Sequence, residues 1–231
     1  MSQRVVGILG GMGPEATILL QQRVLATVQA CDDADHLPLL IDMNSQVPSR
    51  IAHLIEGNGT NPGPVLAEMA RRLEAAGATA LGMSCNTAHH YAPYIDAAVS
   101  IPLLNMVELS VSRAAESVAR GASVGILASP AVRLTRVFDP VLEKAGLTAL
   151  WPEDSERMLA AIWTIKKDGP TPMAGRTLSD AADELKRNGA TLLFVACSEF
   201  SLIADALQCN IPVIDTVDVL ANAIHNHTTM K

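Results

Sequence analysis

Short apolar runs alternate with longer amphipathic stretches along this chain. The apolar runs are as long as β-strands and almost continuously hydrophobic, which is typical of parallel strands covered by helices on both faces. They occupy residues 5–9, 38–43, 80–84, 103–105, 123–127, 192–196 and 213–215. The pattern therefore predicts buried, mostly parallel β-sheet.

The amphipathic stretches between these runs predict helices at 14–30, 61–76, 106–120, 131–145, 153–167, 174–188 and 217–227. Four of the predicted helices are followed within a few residues by a glycine, at positions 77, 121, 146 and 189, where helix C-caps are expected. Regular alternation of strand and helix predicts an α/β fold.

The sequence nearly repeats itself. Residues 78–87 read ATALGMSCNT and residues 190–199 read ATLLFVACSE, which places Cys85 and Cys197 112 residues apart. An Ile-Pro pair follows each segment, and VGIL occurs at both 6–9 and 124–127. We therefore predict two pseudosymmetric lobes, one formed by residues 1–104 and 215–231 and the other by residues 105–214.

Both cysteines follow predicted strands. Ligands of open α/β sheets bind at the carboxyl ends of strands, and the loops after Leu9 and Leu127 fall at those ends as well. We therefore expect an active site in a cleft between the two lobes, approached by one thiol from each side. One acid and one base on opposite faces of a carbon suit stereochemical inversion by proton transfer.

Composition narrows the classes of function. Of 231 residues, 49% are hydrophobic and 18% charged, as in a globular protein. The net charge of −7 and the scarcity of aromatic residues argue against nucleic-acid binding. No apolar stretch approaches the roughly 20 residues that span a bilayer, and the N-terminus does not resemble a signal peptide. We expect a cytoplasmic protein without nucleic-acid or membrane partners.

The four cysteines, at positions 31, 85, 197 and 209, form no CxxC pair and no zinc-like spacing. We expect reduced thiols and no metal. A lone cysteine at a strand end is usually a small buried hydrophobe, but two at equivalent repeat positions favour a functional role. Because each precedes a predicted helix start, we expect the helix N-terminus to lower the thiol pKa toward neutrality. Cys31 and Cys209 fit the inert interpretation better.

The segment Gly10-Gly11-Met12-Gly13-Pro14 follows the first predicted strand. A tight turn with Pro14 at the first helical position explains it, and its amides could also bind an anion. It lacks the Gly-Lys-Ser/Thr of a P-loop and the spacing of a dinucleotide fingerprint. As a nucleotide-binding signal it is weak.

Three segments together carry a specific resemblance. GILGGMGP at 7–14, SCNTAH at 84–89 and ACSE at 196–199 resemble the aspartate/glutamate racemase family, in order along nearly the whole chain. The resemblance implies an amino-acid racemase that needs no cofactor, has two pseudosymmetric lobes, forms a homodimer and uses Cys85 and Cys197 as acid and base.

The resemblance also implies further site residues. It assigns substrate contacts to Met12, Arg50, Asn86, Thr87, Lys166 and Ser198. Arg50 and Lys166 correspond to family residues that hold substrate carboxylates, and the planar fork of an arginine suits bidentate binding. Asn86, Thr87 and Ser198 could also be helix caps. Glu199 would orient a donor or interact with the helix dipole, and His89 would have a structural or supporting role.

Several features leave the substrate open between aspartate, which is favoured, and glutamate. Ser129-Pro130 stands where the family has Gly-Thr, and Ala196 stands where it has Gly. Because proline lacks an amide donor, contacts from that loop should differ from those of the family. The alternatives are another two-cysteine enzyme of the superfamily, such as a hydantoin racemase or a maleate isomerase, and a non-catalytic protein that binds a small ligand.

Overall fold

The computed structural model describes residues 4–207 and 209–230. Contacts within the chain divide it into two compact units. The first contains the described residues up to 106 and from 217 onward, and the second contains residues 107–216. The sequence predicted the divisions at 104/105 and 214/215.

The first unit contains a parallel sheet of three strands. These are β1 (Val6–Gly10), β2 (Leu39–Met43) and β3 (Ala80–Gly82), in the order β2-β1-β3. The strand predicted at 103–105 is reduced to a single parallel bridge between Leu103 and Leu81.

The second unit contains a parallel sheet of four strands. These are β4 (Ser123–Leu127), β5 (Thr148–Leu150), β6 (Leu192–Val195) and β7 (Val213–Asp215), in the order β5-β4-β6-β7. Strand β5 was not predicted, because it is an edge strand with no buried residue and begins with the polar Thr148, so no apolar run marks it.

The repeat in sequence is a repeat in topology. If the bridge at Leu103 is counted as a fourth position, both sheets have the same strand order. Matching hydrogen bonds tie the matching positions: the Leu81 amide donates to the Pro102 carbonyl at 2.8 Å, and the Leu193 amide donates to the Pro212 carbonyl at 2.9 Å. The predicted α/β class, with two parallel sheets flanked by helices, is confirmed.

Helices follow or precede the strands in both units. They are α1 (Pro14–Ala26), α2 (Gly63–Ala75), α3 (Ala92–Asp96), α4 (Met106–Ser117), α5 (Pro130–Thr135), α6 (Asp139–Ala145), α7 (Ser155–Asp168), α8 (Pro172–Arg187), α9 (Ser198–Ser201) and α10 (Thr216–Thr229). Short 3₁₀ turns lie at Asp33–Asp35, Thr87–Tyr91 and Ala204–Ala206, and a π-helical turn lies at Ala52–Glu56. None of the described helices combines the length and apolarity that crossing a membrane would require.

The single helix predicted at 131–145 is wrong. It is two helices, α5 and α6, separated by Arg136 in the left-handed region at φ 55°. Pro140 explains the break, because a proline in a helix interior lacks an N–H and clashes with the carbonyl four residues earlier. In the observed structure Pro140 instead lies in the first turn of α6, where prolines are tolerated.

Burial along β6 explains why its sequence is hydrophobic throughout. Leu192 and Phe194 pack into one core cluster, and Leu193 and Val195 pack into another. All four are fully buried. Alternate side chains of a strand point to opposite faces, so helices cover both faces of this sheet.

Candidate active site

The first cysteine lies just beyond the carboxyl end of β3. Cys85 is a half-buried free thiol three residues after Gly82. Asn86 and Thr87 follow it at the start of the 3₁₀ turn, and both are buried. The chain therefore changes direction directly after β3 and holds these three predicted residues in one turn.

His89 supports this turn through the backbone. Its Nδ1 donates to the Cys85 carbonyl at 2.9 Å, and the Met106 amide donates to its Nε2 at 3.1 Å. Burial lowers the pKa of His89 to about 4, and the bond to Cys85 opposes this only in part. The imidazole is therefore neutral, and it ties the Cys85 turn to the beginning of α4.

Arg50 and Cys85 belong to the same unit and both act electrostatically on Tyr91. The Arg50 guanidinium donates to the Pro48 carbonyl at 3.0 Å and more weakly to that of Val47. Tyr91 is buried, and burial is the main cause of its raised pKa; Arg50 lowers that pKa and Cys85 raises it. Arg50 and Cys85 therefore lie close enough to the Tyr91 hydroxyl to act on it electrostatically.

Tyr91 and His53 also belong to this region, although neither was predicted from the sequence. The Tyr91 hydroxyl is 2.7 Å from Nδ1 of His53, which belongs to the π-helical turn. A single tyrosine and a single histidine 38 residues apart carry no spacing signal. Only the tertiary fold shows that they meet.

The glycine-rich segment is a tight turn, and Pro14 is the first residue of α1, as predicted. Gly11 has φ +91°, and a Cβ there would lie 2.3 Å from the Asn44 backbone. Met12 is only 4% exposed and belongs to the same core cluster as Val47. The glycines therefore serve the close approach of this turn to the loop after β2.

The second cysteine lies at the carboxyl end of β6. Cys197 is the N-cap of α9 and is buried, as are Ser198 and Glu199. The Cys197 thiol donates to Oε2 of Glu199 at 3.0 Å. Nζ of Lys166, from α7, donates to Oε1 of the same carboxylate and forms an ion pair with it. The fold thus brings four of the predicted residues together.

The pKa predicted for Cys197 is wrong in direction. Burial raises it well above the ordinary value, and the charge of Glu199 and its side-chain hydrogen bond raise it further; the Glu199 backbone amide and the charge of Lys166 oppose this rise without reversing it. Because α9 has only four residues, it supplies little helix dipole to stabilise a thiolate. Burial alone would raise the pKa of Glu199, but Lys166 and the Cys197 hydrogen bond lower it on balance. The cluster is therefore a thiol, a carboxylate and an ammonium.

The remaining sequence candidates are the Ser129-Pro130 loop and the other two cysteines. Ser129 is the N-cap of α5 and Pro130 its first residue, so the altered loop is a helix start. Cys31 is exposed and Cys209 half-buried, and both are free thiols. Within the described residues, no three His, Cys, Asp or Glu side chains come together as a metal site would need.

The chain matches the family model for Asp/Glu/Hydantoin racemase over residues 9–224. It is 25% identical over 227 residues to the broad specificity amino-acid racemase RacX of Bacillus subtilis (strain 168), covering 95% of this chain and 96% of that protein. Aspartate racemase from Picrophilus torridus has a similar structure, with a TM-score of 0.86 and 28% identity over 99% of this chain and 95% of that one. Glutamate racemase from Francisella tularensis subsp. tularensis SCHU S4 shares the fold, with a TM-score of 0.68 and 13% identity over 98% of this chain and 81% of that one.

The chain therefore belongs to the Asp/Glu/hydantoin racemase family. It is an isomerase of the racemase type, and its family acts on small amino-acid substrates.

Proposed function

We propose that this protein racemises an acidic amino acid without a cofactor, with aspartate as the favoured substrate and glutamate as the second candidate. Cys85 and Cys197 exchange protons with the α-carbon. The observation that carries this proposal is the pair of free thiols at matching strand ends of the two units, whose sheets share one strand order when the Leu103 bridge is counted.

In the proposed reaction a Cys85 thiolate removes the α-proton. The C–H electron pair remains on the substrate as a carbanion, and the Cys197 thiol donates its proton to the opposite face. This second proton transfer converts the carbanion into the other enantiomer. After it, Cys85 is a thiol and Cys197 is a thiolate. The reverse reaction exchanges these roles. The mechanism requires the two thiols to reach opposite faces of one α-carbon.

Stabilisation of the carbanion must come from groups at the α-carboxylate, where charge develops. Arg50 is a bidentate candidate, and Asn86 and Thr87 on the Cys85 turn are further candidate donors. Lys166 already pairs with Glu199, but an ammonium has three donors, so it can also hold a substrate carboxylate. Two cations for two carboxylates would select an acidic amino acid.

Proton NMR in D₂O tests the reaction directly. The purified protein is incubated with L-aspartate, then L-glutamate, under reducing conditions without added cofactor. We expect loss of the α-proton signal together with the D-enantiomer on chiral chromatography. Because RacX is described as broad in specificity, a panel of neutral and basic amino acids should follow. Turnover of a neutral amino acid at the aspartate rate would contradict the assigned selectivity.

Thiol substitutions test the two-base assignment. Cys85→Ser and Cys197→Ser should each lower kcat by at least about 100-fold, because removing a general acid or base costs that much. Cys31→Ser, at an exposed free thiol, is the matched control and should keep full activity. Near-normal turnover by either folded active-site variant would disprove the two-thiol mechanism.

The proposal also places the protein in the cytoplasm as a homodimer. The four free thiols fit a reducing compartment, and the dimer follows from the family resemblance. Light scattering coupled to gel filtration should give twice the 24.4 kDa chain mass. A mass equal to one chain would contradict the dimer.

A further inference from the structure

The contact between Glu199 and Cys197 is not explained by substrate binding alone. The thiol donates to one carboxylate oxygen at 3.0 Å, and Lys166 holds the other. The Glu199 side chain is 12% exposed and the Lys166 side chain 31% exposed. The carboxylate is therefore held on one side by a cation and presents its other oxygen to the sulfur.

We propose that Glu199, anchored by Lys166, is a positioning residue that keeps Cys197 protonated, so that Cys197 is the proton donor of the resting enzyme. This inference rests on the proposed two-thiol function. The proposal makes the two cysteines differ in their resting protonation, although they occupy equivalent places in the repeat.

Charge balance explains the effect. With a thiol at Cys197, one carboxylate is paired with one ammonium, and the cluster is neutral. Loss of the thiol proton would place a thiolate 3.0 Å from the Glu199 carboxylate, leaving the cluster with an uncompensated negative charge. Buried charges without a partner are strongly disfavoured. The direction of the Cys197 pKa agrees with this.

A second buried carboxylate lies near α9: Asp215 of β7 accepts a hydrogen bond from the Ser201 hydroxyl at 2.8 Å. The Cys197 pKa is nevertheless set by burial, Glu199 and Lys166. Elements packed against α9 also include β6, α7 and the turn at 204–206. The strand β6 is wholly apolar, and Asp205 in the turn is exposed. From α7, Lys166 is the residue paired with the carboxylate, and Lys167 and Asp168 next to it are exposed.

The sequence of the first repeat unit differs at the matching position. The residue two places after Cys85 is Thr87, whereas the residue two places after Cys197 is Glu199. An acidic group adjoins the second thiol in sequence and an uncharged one adjoins the first. We therefore assign the role of resting base to Cys85.

Thiolate absorbance at 240 nm measures the protonation of Cys197 without any substrate. The Cys197 signal is the difference between a protein and its Cys197→Ser version across a pH series. In the parent we expect its midpoint above the ordinary cysteine value of about 8.5. Glu199→Gln keeps the side chain's shape and should lower the midpoint by about one to two pH units, the usual effect of removing an adjacent like charge.

Two matched variants separate this effect from general changes in charge. Glu143→Gln removes an exposed glutamate of the same unit and should leave the midpoint unchanged. Lys166→Gln removes the cation and should not lower the midpoint. An equal fall with Lys166→Gln, or no fall with Glu199→Gln in a folded protein, would overturn the proposal.

Kinetics then connect the titration to turnover. In Glu199→Gln the basic limb of the kcat/KM profile should move to lower pH by the same amount as the spectroscopic midpoint. Because the two enantiomers are equal in free energy, the shift must be the same in both directions. A spectroscopic shift in a protein without racemase activity would refute the proposed function but not the role of Glu199. If Glu199→Gln remains active and the basic limb of its kcat/KM profile does not move, the positioning role of Glu199 is refuted.

Discussion

Acidification should destabilise this protein through His89, the buried imidazole that joins the Cys85 turn to α4. Both ring nitrogens are used by the backbone: Nδ1 donates to the Cys85 carbonyl, and Nε2 accepts from the Met106 amide. Protonation would place a second N–H against the Met106 amide in a buried site. The folded protein therefore resists the proton that the unfolded chain accepts.

The size of the effect follows from the two pKa values. The pKa of His89 is lowered from 6.5 to about 4 by burial. A lowered folded-state pKa means that the unfolded chain binds more protons, so stability rises with pH in this window. The contribution is complete above pH 6.5 and is lost as the pH falls toward 4. Between pH 7 and pH 5 the loss is about 2 kcal/mol.

The assay compares variants rather than absolute stabilities, because carboxylates also titrate at acid pH. Urea unfolding is followed by circular dichroism at pH 7 and pH 5 for the parent, His89→Gln and His90→Gln. Circular dichroism reports the helices of both units, whereas Trp151 and Trp163 lie only in the second. The glutamine at position 89 cannot titrate, so its free energy of unfolding should fall by about 2 kcal/mol less than that of the parent.

His90→Gln is the matched control, because His90 is the next residue and is exposed. It should retain the larger part of the parent's pH dependence. At pH 7, His89→Gln should itself be less stable by about 1–3 kcal/mol, the usual effect of weakening a buried hydrogen-bond pair. If His89→Gln and the parent lose equal stability on acidification, the assignment of this pH dependence to His89 is refuted.

Two further predictions concern packing. Gly11→Ala should destabilise by more than about 2 kcal/mol, because its Cβ would meet the Asn44 backbone at 2.3 Å and its φ is +91°. Gly57→Ala, also at positive φ but with no atom within 4 Å, should have the smaller effect on urea unfolding, and equal effects would contradict the steric argument. Leu81→Ala and Leu193→Ala remove fully buried side chains at matching positions of the two sheets, and each should cost about 2–5 kcal/mol of unfolding free energy. A loss below about 1 kcal/mol at either position would contradict the core assignment.

Local signals in the sequence were sufficient for much of the fold. Apolar runs predicted six of the seven strands that the structure describes, and glycine positions 77 and 189 were correctly expected at helix ends, where both have positive φ. Pro14 was correctly placed at the start of α1. Because these features depend only on residues that are neighbours in sequence, they can be detected from the sequence alone. Pro140 is also a local signal for the break between α5 and α6. The break was not predicted, because the amphipathic pattern continues across it.

The sequence by itself determined the α/β class, the internal repeat and the place of both cysteines at strand ends, because periodicity and duplication are properties of residue order. Tertiary structure alone decided what surrounds each thiol. Lys166 and Glu199 are 33 positions apart and pair only because α7 packs against α9. Burial and that carboxylate reverse the pKa shift that a helix start had suggested for Cys197. Electrostatic environment depends on which distant side chains meet and on how much water is excluded, and neither quantity is local in sequence.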